Sequence, residues 1–141
     1  MQINGQCHCH ALRYRLEWPE LNGAIPARAC QCSYCTRFGG NWTSHPDASL
    51  EFEVADPDLL GRYRFGTKTA VFLFCRQCGI TMIAISRIEG QDYAVVNINS
   101  MVTPGQLQFD QSKTDFDGES TSQRLGRRAD RWIGRVKFIG L

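Results

Sequence analysis

Seven cysteines gathered into three short runs constrain this chain more than any other feature of it. Cys30-Gln31-Cys32-Ser33-Tyr34-Cys35 places three thiols within one turn, so that all three can close on a single cation, and no local residue stands ready to fill the fourth tetrahedral position. Three protein ligands with one position open is the pattern of a catalytic rather than a structural zinc. The other cysteines form two pairs, Cys7-His8-Cys9 and Cys75-Arg76-Gln77-Cys78-Gly79, distant in sequence and complementary in number. In the later pair the two intervening residues let backbone N–H groups point at sulfur, and Gly79 relieves the tight turn. Cys7 and Cys9 by themselves also read as two core cysteines, because alternate residues of a strand share one face. Joined to Cys75 and Cys78, they complete a closed four-cysteine structural zinc site that clamps the start of the chain to its centre.

For Cys30, Cys32 and Cys35 the competing readings are incidental buried thiols, or a four-thiolate site that borrows a cysteine from elsewhere. The residues between them, Gln31, Ser33 and Tyr34, are not a hydrophobic pattern, which favours a second zinc, held with weaker occupancy than the first. The histidines are secondary candidates. In an extended segment His8 and His10 point away from the Cys7 and Cys9 face, toward solvent or hydrogen bonds near the site. His45 reaches the open site only if the chain folds back.

An odd cysteine count cannot pair completely, and a reducing compartment disfavours disulfides, so metal ligation is the better use of these thiols. Iron–sulfur runs space their cysteines differently from the two C-x-C pairs. The opening residues lack the basic and apolar regions of a secretory signal, and no apolar stretch is long enough to span a membrane. The expectation is a soluble, cytoplasmic protein. A length of 141 residues suits one domain, and a net charge of +2 gives no global reason to expect a nucleic-acid or membrane partner.

Along the chain, Leu12, Tyr14, Leu16 and Trp18 alternate with charged residues, which predicts a half-buried strand. Ile25 to Cys30 delivers the chain into the cysteine triplet, where Ser33 is expected to cap a helical turn from Tyr34 to Arg37, ended by Gly39-Gly40. Strands are predicted over 41–44, 49–54, 61–65, 70–75, 80–86 and 93–99, the nearly continuous apolar run 70–75 as a buried one, with Glu89-Gly90-Gln91-Asp92 as a hairpin turn. Thr103-Pro104 opens a short helix through Leu107, and 112–122 reads as polar loop. Arg124, Arg127, Arg128, Arg131, Arg135 and Lys137 then stand against one acid, Asp130, among core-type residues. This predicts a helix and a strand with a solvated basic face, packed on the domain or on a second subunit, rather than a nucleic-acid patch.

Gly5-Gln6-Cys7-His8-Cys9 with Leu12-Arg13-Tyr14, then the cysteine triplet with Gly40, then Phe74-Cys75-Arg76-Gln77-Cys78-Gly79, resemble the glutathione-dependent formaldehyde-activating enzyme family, which includes centromere protein V. The resemblance covers roughly residues 5–100. It implies a mainly β fold, a β-tent of antiparallel sheets around a structural zinc on Cys7, Cys9, Cys75 and Cys78, with a catalytic zinc on Cys30, Cys32 and Cys35. Residues 1–141 would form a single zinc-binding domain, 101–141 being a C-terminal extension packed on it. The implied activity is that of a carbon–sulfur lyase, joining or releasing a small aldehyde such as formaldehyde and a low-molecular-weight thiol such as glutathione. The alternative is a non-catalytic zinc module serving a protein interface, and a homo-oligomer is left open. The chain departs from the family at His10, where a glycine is frequent, and at Gly39-Gly40. If the thiol is glutathione, its carboxylates need cations, for which Arg37 and Arg76 are the candidates.

Overall fold

The computed structural model describes residues 1–20, 23–102 and 107–141. Its strands run β1 (Gln2–Gln6), β2 (Leu12–Glu17), β3 (Ile25–Cys30), β4 (Asn41–Thr43), β5 (Ser49–Val54), β6 (Leu60–Tyr63), β7 (Val71–Cys75), β8 (Thr81–Ile88), β9 (Gln91–Asn97), β10 (Phe109–Thr114) and β11 (Arg135–Ile139). Two helices interrupt them, α1 (Cys35–Phe38) and α2 (Thr121–Arg131). The strands make a four-stranded sheet in the order β1-β2-β5-β11 and a seven-stranded sheet in the order β10-β3-β4-β9-β8-β7-β6. The architecture is mainly β, as expected. Most neighbours are antiparallel, but β10 joins β3 and β11 joins β5 in parallel, so the C-terminal part of the chain extends one edge of each sheet.

Alternation sets which side of each strand is inside. In β2, Leu12, Tyr14 and Leu16 are buried while Arg13, Arg15 and Glu17 are not. Their inner face meets Leu50, Phe52 and Val54 of β5, and together these pack on Ile83, Ile85, Ala94 and Val96 of the larger sheet. The opposite parity of β8 and β9 is also covered: Ala84 and Val95 join Trp42, Cys35 and Trp132 in a second apolar cluster. The larger sheet is therefore covered on both faces, and the cysteine triplet with α2 lies over the outer one.

Two residues without side chains let aromatic rings lie flat across neighbouring strands. A Cβ on Gly5 would sit 1.9 Å from the ring of Tyr14, its partner in β2, whose hydroxyl is hydrogen-bonded to Ser100 Oγ at 3.0 Å. Gly61 in β6 makes the same room for Phe74, its partner in β7.

The structure revises several local expectations. The turn between β8 and β9 is tighter than expected: Glu89 and Gly90, at φ 51° and 81°, make it alone, and Gln91 and Asp92 already belong to β9. Two successive left-handed residues match the twist of a two-residue hairpin. The run 70–75 is only half buried, with Leu73 and Cys75 inside. The polar stretch 112–122 contains the end of β10 and the start of α2, whose N-terminus is closed by a reciprocal cap between Ser120 and Gln123. An exposed edge strand has little reason to be apolar, so β10 leaves no hydrophobic pattern to read. The helix expected from Thr103 lies, except for Leu107, outside the described residues.

His10 takes φ 69°, which explains why glycine is frequent there in the family it resembles. His10→Gly is expected to raise stability by about 1 kcal/mol, since a side chain in the left-handed region carries a steric cost of that order. Thermal denaturation of the two proteins checks it; an unchanged or lowered midpoint would mean that the 3.0 Å contact between Gln6 and the His10 ring outweighs the strain.

Candidate metal centres

The four-cysteine cluster is built from two hairpin ends that belong to different sheets. Cys7 and Cys9 lie in the connection between β1 and β2, while Cys75 ends β7 and Cys78 lies in the turn before β8. The backbone wraps each sulfur: Leu12 N–H donates to Cys7 Sγ at 3.3 Å, and Cys78 N–H donates to Cys75 Sγ at 3.4 Å. Gly79, at φ 82°, turns the chain so that its N–H donates to the Cys75 carbonyl at 2.8 Å, the role expected of that glycine. All four sulfurs lie within 4.8 Å of one another; Cys9 is 3.7 Å from Cys7 and 3.5 Å from Cys75. Tetrahedral zinc with bonds of about 2.3 Å sets its sulfurs about 3.8 Å apart, so the donor set fits. Burial, with the neighbouring thiols, pushes the Cys7 thiol up to about 12. At Cys78 burial acts in the same direction, but N–H donors from Ile80 and Cys9 and the neighbouring thiols prevail and bring it down to about 6.

The triplet is arranged differently. Cys30 ends β3, Cys32 precedes α1, and Cys35 is its first residue. The expected cap by Ser33 is not formed: Tyr34 occupies the cap position without a side-chain bond, and Cys32 Sγ accepts from Cys35 N–H at 3.3 Å instead. Gly39, at φ 70°, ends the helix as predicted. The three sulfurs lie within 4.8 Å of one another, and no other Cys, His, Asp or Glu among the described residues joins them. Cys35 is 2 % exposed, whereas Cys30 and Cys32 are more open. The Cys35 thiol, donating to Cys30, holds Cys30 down at about 6, against burial; the same bond, with burial, raises Cys35. None of the histidines belongs to either cluster: His8 and His10 are exposed, and His45 Nδ1 accepts from Asp47 N–H.

Cys30, Cys32 and Cys35 form part of the wall of a cavity of about 260 Å³. Trp42, Phe72, Ala84, Val95 and Trp132 make its apolar surface. The remaining wall was not foreseen. Arg28 from β3 and Arg124, Arg127 and Arg128 from α2 line it, with Asp117 from the preceding loop. Part of the basic face of the C-terminal helix is thus turned inward: Arg128 is only 7 % exposed and Arg124 and Arg127 are half-buried, while Arg131 stays exposed. Arg37 and Arg76 are exposed and bonded elsewhere, Arg37 to the Ser33 carbonyl and Arg76 to that of Asp58. One sequence signal was available: Arg124, Arg127 and Arg128 keep the i, i+3, i+4 spacing of a single helix face.

Fold and donor sets define a class: a two-sheet β protein with two all-cysteine clusters, one closed and one open to a cavity, each able to hold a metal ion. The family model of the glutathione-dependent formaldehyde-activating enzyme matches residues 2–116, and the chain belongs to that family. Membership supports a formaldehyde-activating, glutathione-related function. Among solved structures, a crystal structure of a Rhodobacter sphaeroides protein, a structural-genomics target, is similar at 28 % identity and a TM-score of 0.50, over 96 % of this chain and 98 % of that one. No curated protein matches significantly. No described helix is long and apolar enough to cross a membrane.

Proposed function

We propose that this chain is a carbon–sulfur lyase that joins a small aldehyde to a low-molecular-weight thiol, or releases the two, at a zinc held by Cys30, Cys32 and Cys35. Cys7, Cys9, Cys75 and Cys78 hold a second, structural zinc. The observation that carries this reading is that the three-cysteine cluster opens into a cavity while the four-cysteine cluster is packed into the main core. A zinc ion in the open site supplies a position where a thiol is bound as its thiolate near neutral pH.

The chain's own residues do the rest. Trp42, Phe72 and Trp132 exclude water from the reacting pair. Thiol sulfur bonds to the carbonyl carbon, the C=O π pair moves to oxygen, and the proton lost by the thiol ends on that oxygen, with no change of oxidation state. Asp117, the one carboxylate on the cavity wall, is the group that takes this proton and returns it. The motifs contain no such base, because it is supplied from the loop before α2.

Cobalt-substituted protein titrated with glutathione, cysteine and other thiols tests the reading, with formaldehyde–thiol exchange followed by NMR. A thiol-dependent change in the sulfur-to-cobalt absorption is expected, together with accelerated exchange. Asp117→Asn is expected to slow exchange by about 10²–10⁴-fold and leave the cobalt spectrum unchanged. If no thiol perturbs the spectrum of a loaded site, the enzyme reading fails and the protein is a zinc module.

A further inference from the structure

We propose that the cavity takes a compact ligand that is anionic at one end, its carboxylate or phosphate seated on Arg28, Arg124 and Arg128 and its reacting sulfur or carbonyl beside Cys30, Cys32 and Cys35. The placing of the reacting end rests on the aldehyde–thiol reading above; the anion subsite does not. A helix that packs on a sheet normally turns apolar residues inward, yet α2 buries Arg128 and half-buries Arg124 while leaving Ala129 exposed. Buried charge is retained where something pairs with it.

The pairing inside the protein is incomplete. Arg127 is satisfied, by two 2.9 Å bonds to Glu119 and by the Phe116 ring 3.6 Å beneath its guanidinium. Among the described residues the other three have only neutral hydrogen-bond partners. Arg128 donates to Thr69 Oγ1 at 2.9 Å and Ser86 Oγ at 3.1 Å, Arg124 to the Phe116 carbonyl at 2.9 Å, and Arg28 to Ser44 Oγ at 2.9 Å. The Nε groups of Arg124 and Arg128 are buried with no partner among the described residues. Against these cations the described cavity wall offers one carboxylate, Asp117, and the nearby Glu119 is already taken by Arg127. Burial and the neighbouring arginines press Arg128 down to about 10, against the pull of Glu119, and burial lowers Arg28 as well. Guanidinium forks suit carboxylate and phosphate oxygens, and the hydroxyls behind Arg128 hold its fork in place.

Size narrows the ligand further. At about 260 Å³ the cavity lies just below the usual range of about 300–1,000 Å³ for drug-sized ligands. One anionic group and one reacting centre fill such a space, which suits a short thiol acid or an anionic aldehyde adduct.

Trp42 and Trp132 line the cavity and report on its occupancy by fluorescence. Metal-loaded protein titrated with 3-mercaptopropionate and with 2-mercaptoethanol is expected to bind the acid about 10–100-fold more tightly, the range of a charge-assisted hydrogen bond. Propionate and inorganic phosphate serve as non-thiol competitors, and the stronger competitor identifies the head group. Arg124→Gln is expected to reduce the preference to about threefold or less while near-ultraviolet circular dichroism stays native. Arg28→Gln is the second variant, because Arg128 is wired into β8 through Ser86 and its loss endangers the fold. Equal binding of the two thiols, or a preference untouched by both variants, overturns the anion subsite even if aldehyde exchange is catalysed. Arginine-dependent binding of propionate or phosphate without any thiol effect on the cobalt spectrum sustains the subsite and removes only the aldehyde–thiol reading.

Discussion

Cys75→Ser is expected to leave the chain unfolded or aggregated, by far-ultraviolet circular dichroism and by loss of soluble monodisperse protein. The reason is where the four-cysteine cluster sits. It ties the β1–β2 end of the smaller sheet to the β7–β8 end of the larger one, Cys9 and Cys75 being 66 positions apart in the chain. A preformed site does not exist in the unfolded chain, so metal-binding energy appears as folding energy, about 10–16 kcal/mol for structural zinc in small domains. Total domain stability is typically about 5–15 kcal/mol, so losing a term of that size would unfold the protein. Cys7 and Cys75 are 1 % and 0 % exposed, and burial raises both thiols, so without metal they remain neutral sulfurs that contribute little beyond packing. Serine at position 75 retains an acceptor for the Cys78 N–H but not a soft ligand for zinc. A folded Cys75→Ser protein of ordinary thermal stability would remove the structural role from this cluster.

The sequence made the four-plus-three division of the cysteines legible because each run solves a local problem. Two sulfurs one or two residues apart must lie close in space whatever the rest of the chain does, and Gly79 and Gly39 mark the turns that present them. The alternation of β2 and β5 was equally plain, since each has one face in the core and one in water. Legibility failed where the partner came from far along the chain. Nothing near Cys30 announces that Arg124, Arg127 and Arg128 will line its cavity; their spacing puts them on one helix face, but what that face meets is settled only when the helix is docked. The cap of α1 failed for a different reason. Ser33 is a good capping residue by type, but a sulfur of the triplet takes the Cys35 N–H, so the cluster and the helix share one acceptor, Cys32 Sγ.

That shared acceptor shapes the second large effect, expected of Cys32→Ser. The variant should remain folded, because a serine oxygen accepts a helix-terminal N–H as well as sulfur does, and the triplet lies over the outer face of the larger sheet, away from the main core. Metal content per chain, on gently purified protein, is expected to fall from two ions toward one. With only Cys30 and Cys35 left, the site keeps two of the three sulfurs that met within 4.8 Å. The thiol-dependent cobalt absorption should vanish and exchange should fall to the uncatalysed rate. Lowering a thiol from about 8.5 to ~7 is worth about 2 kcal/mol and raises its ionised fraction more than about tenfold. A stabilised thiolate is also a weaker nucleophile, so activation alone accounts for only part of that gain. On the proposed reading, holding aldehyde and sulfur together in the cavity would supply the larger share, and that share would be lost with the third sulfur ligand. Cys32→Ser should therefore cost more than the tenfold due to ionisation, at least about 10²-fold, and unlike Asp117→Asn it should do so with a change in metal content. A Cys32→Ser protein that is folded, holds two metal ions and exchanges formaldehyde at the wild-type rate would move the chemistry away from the triplet altogether.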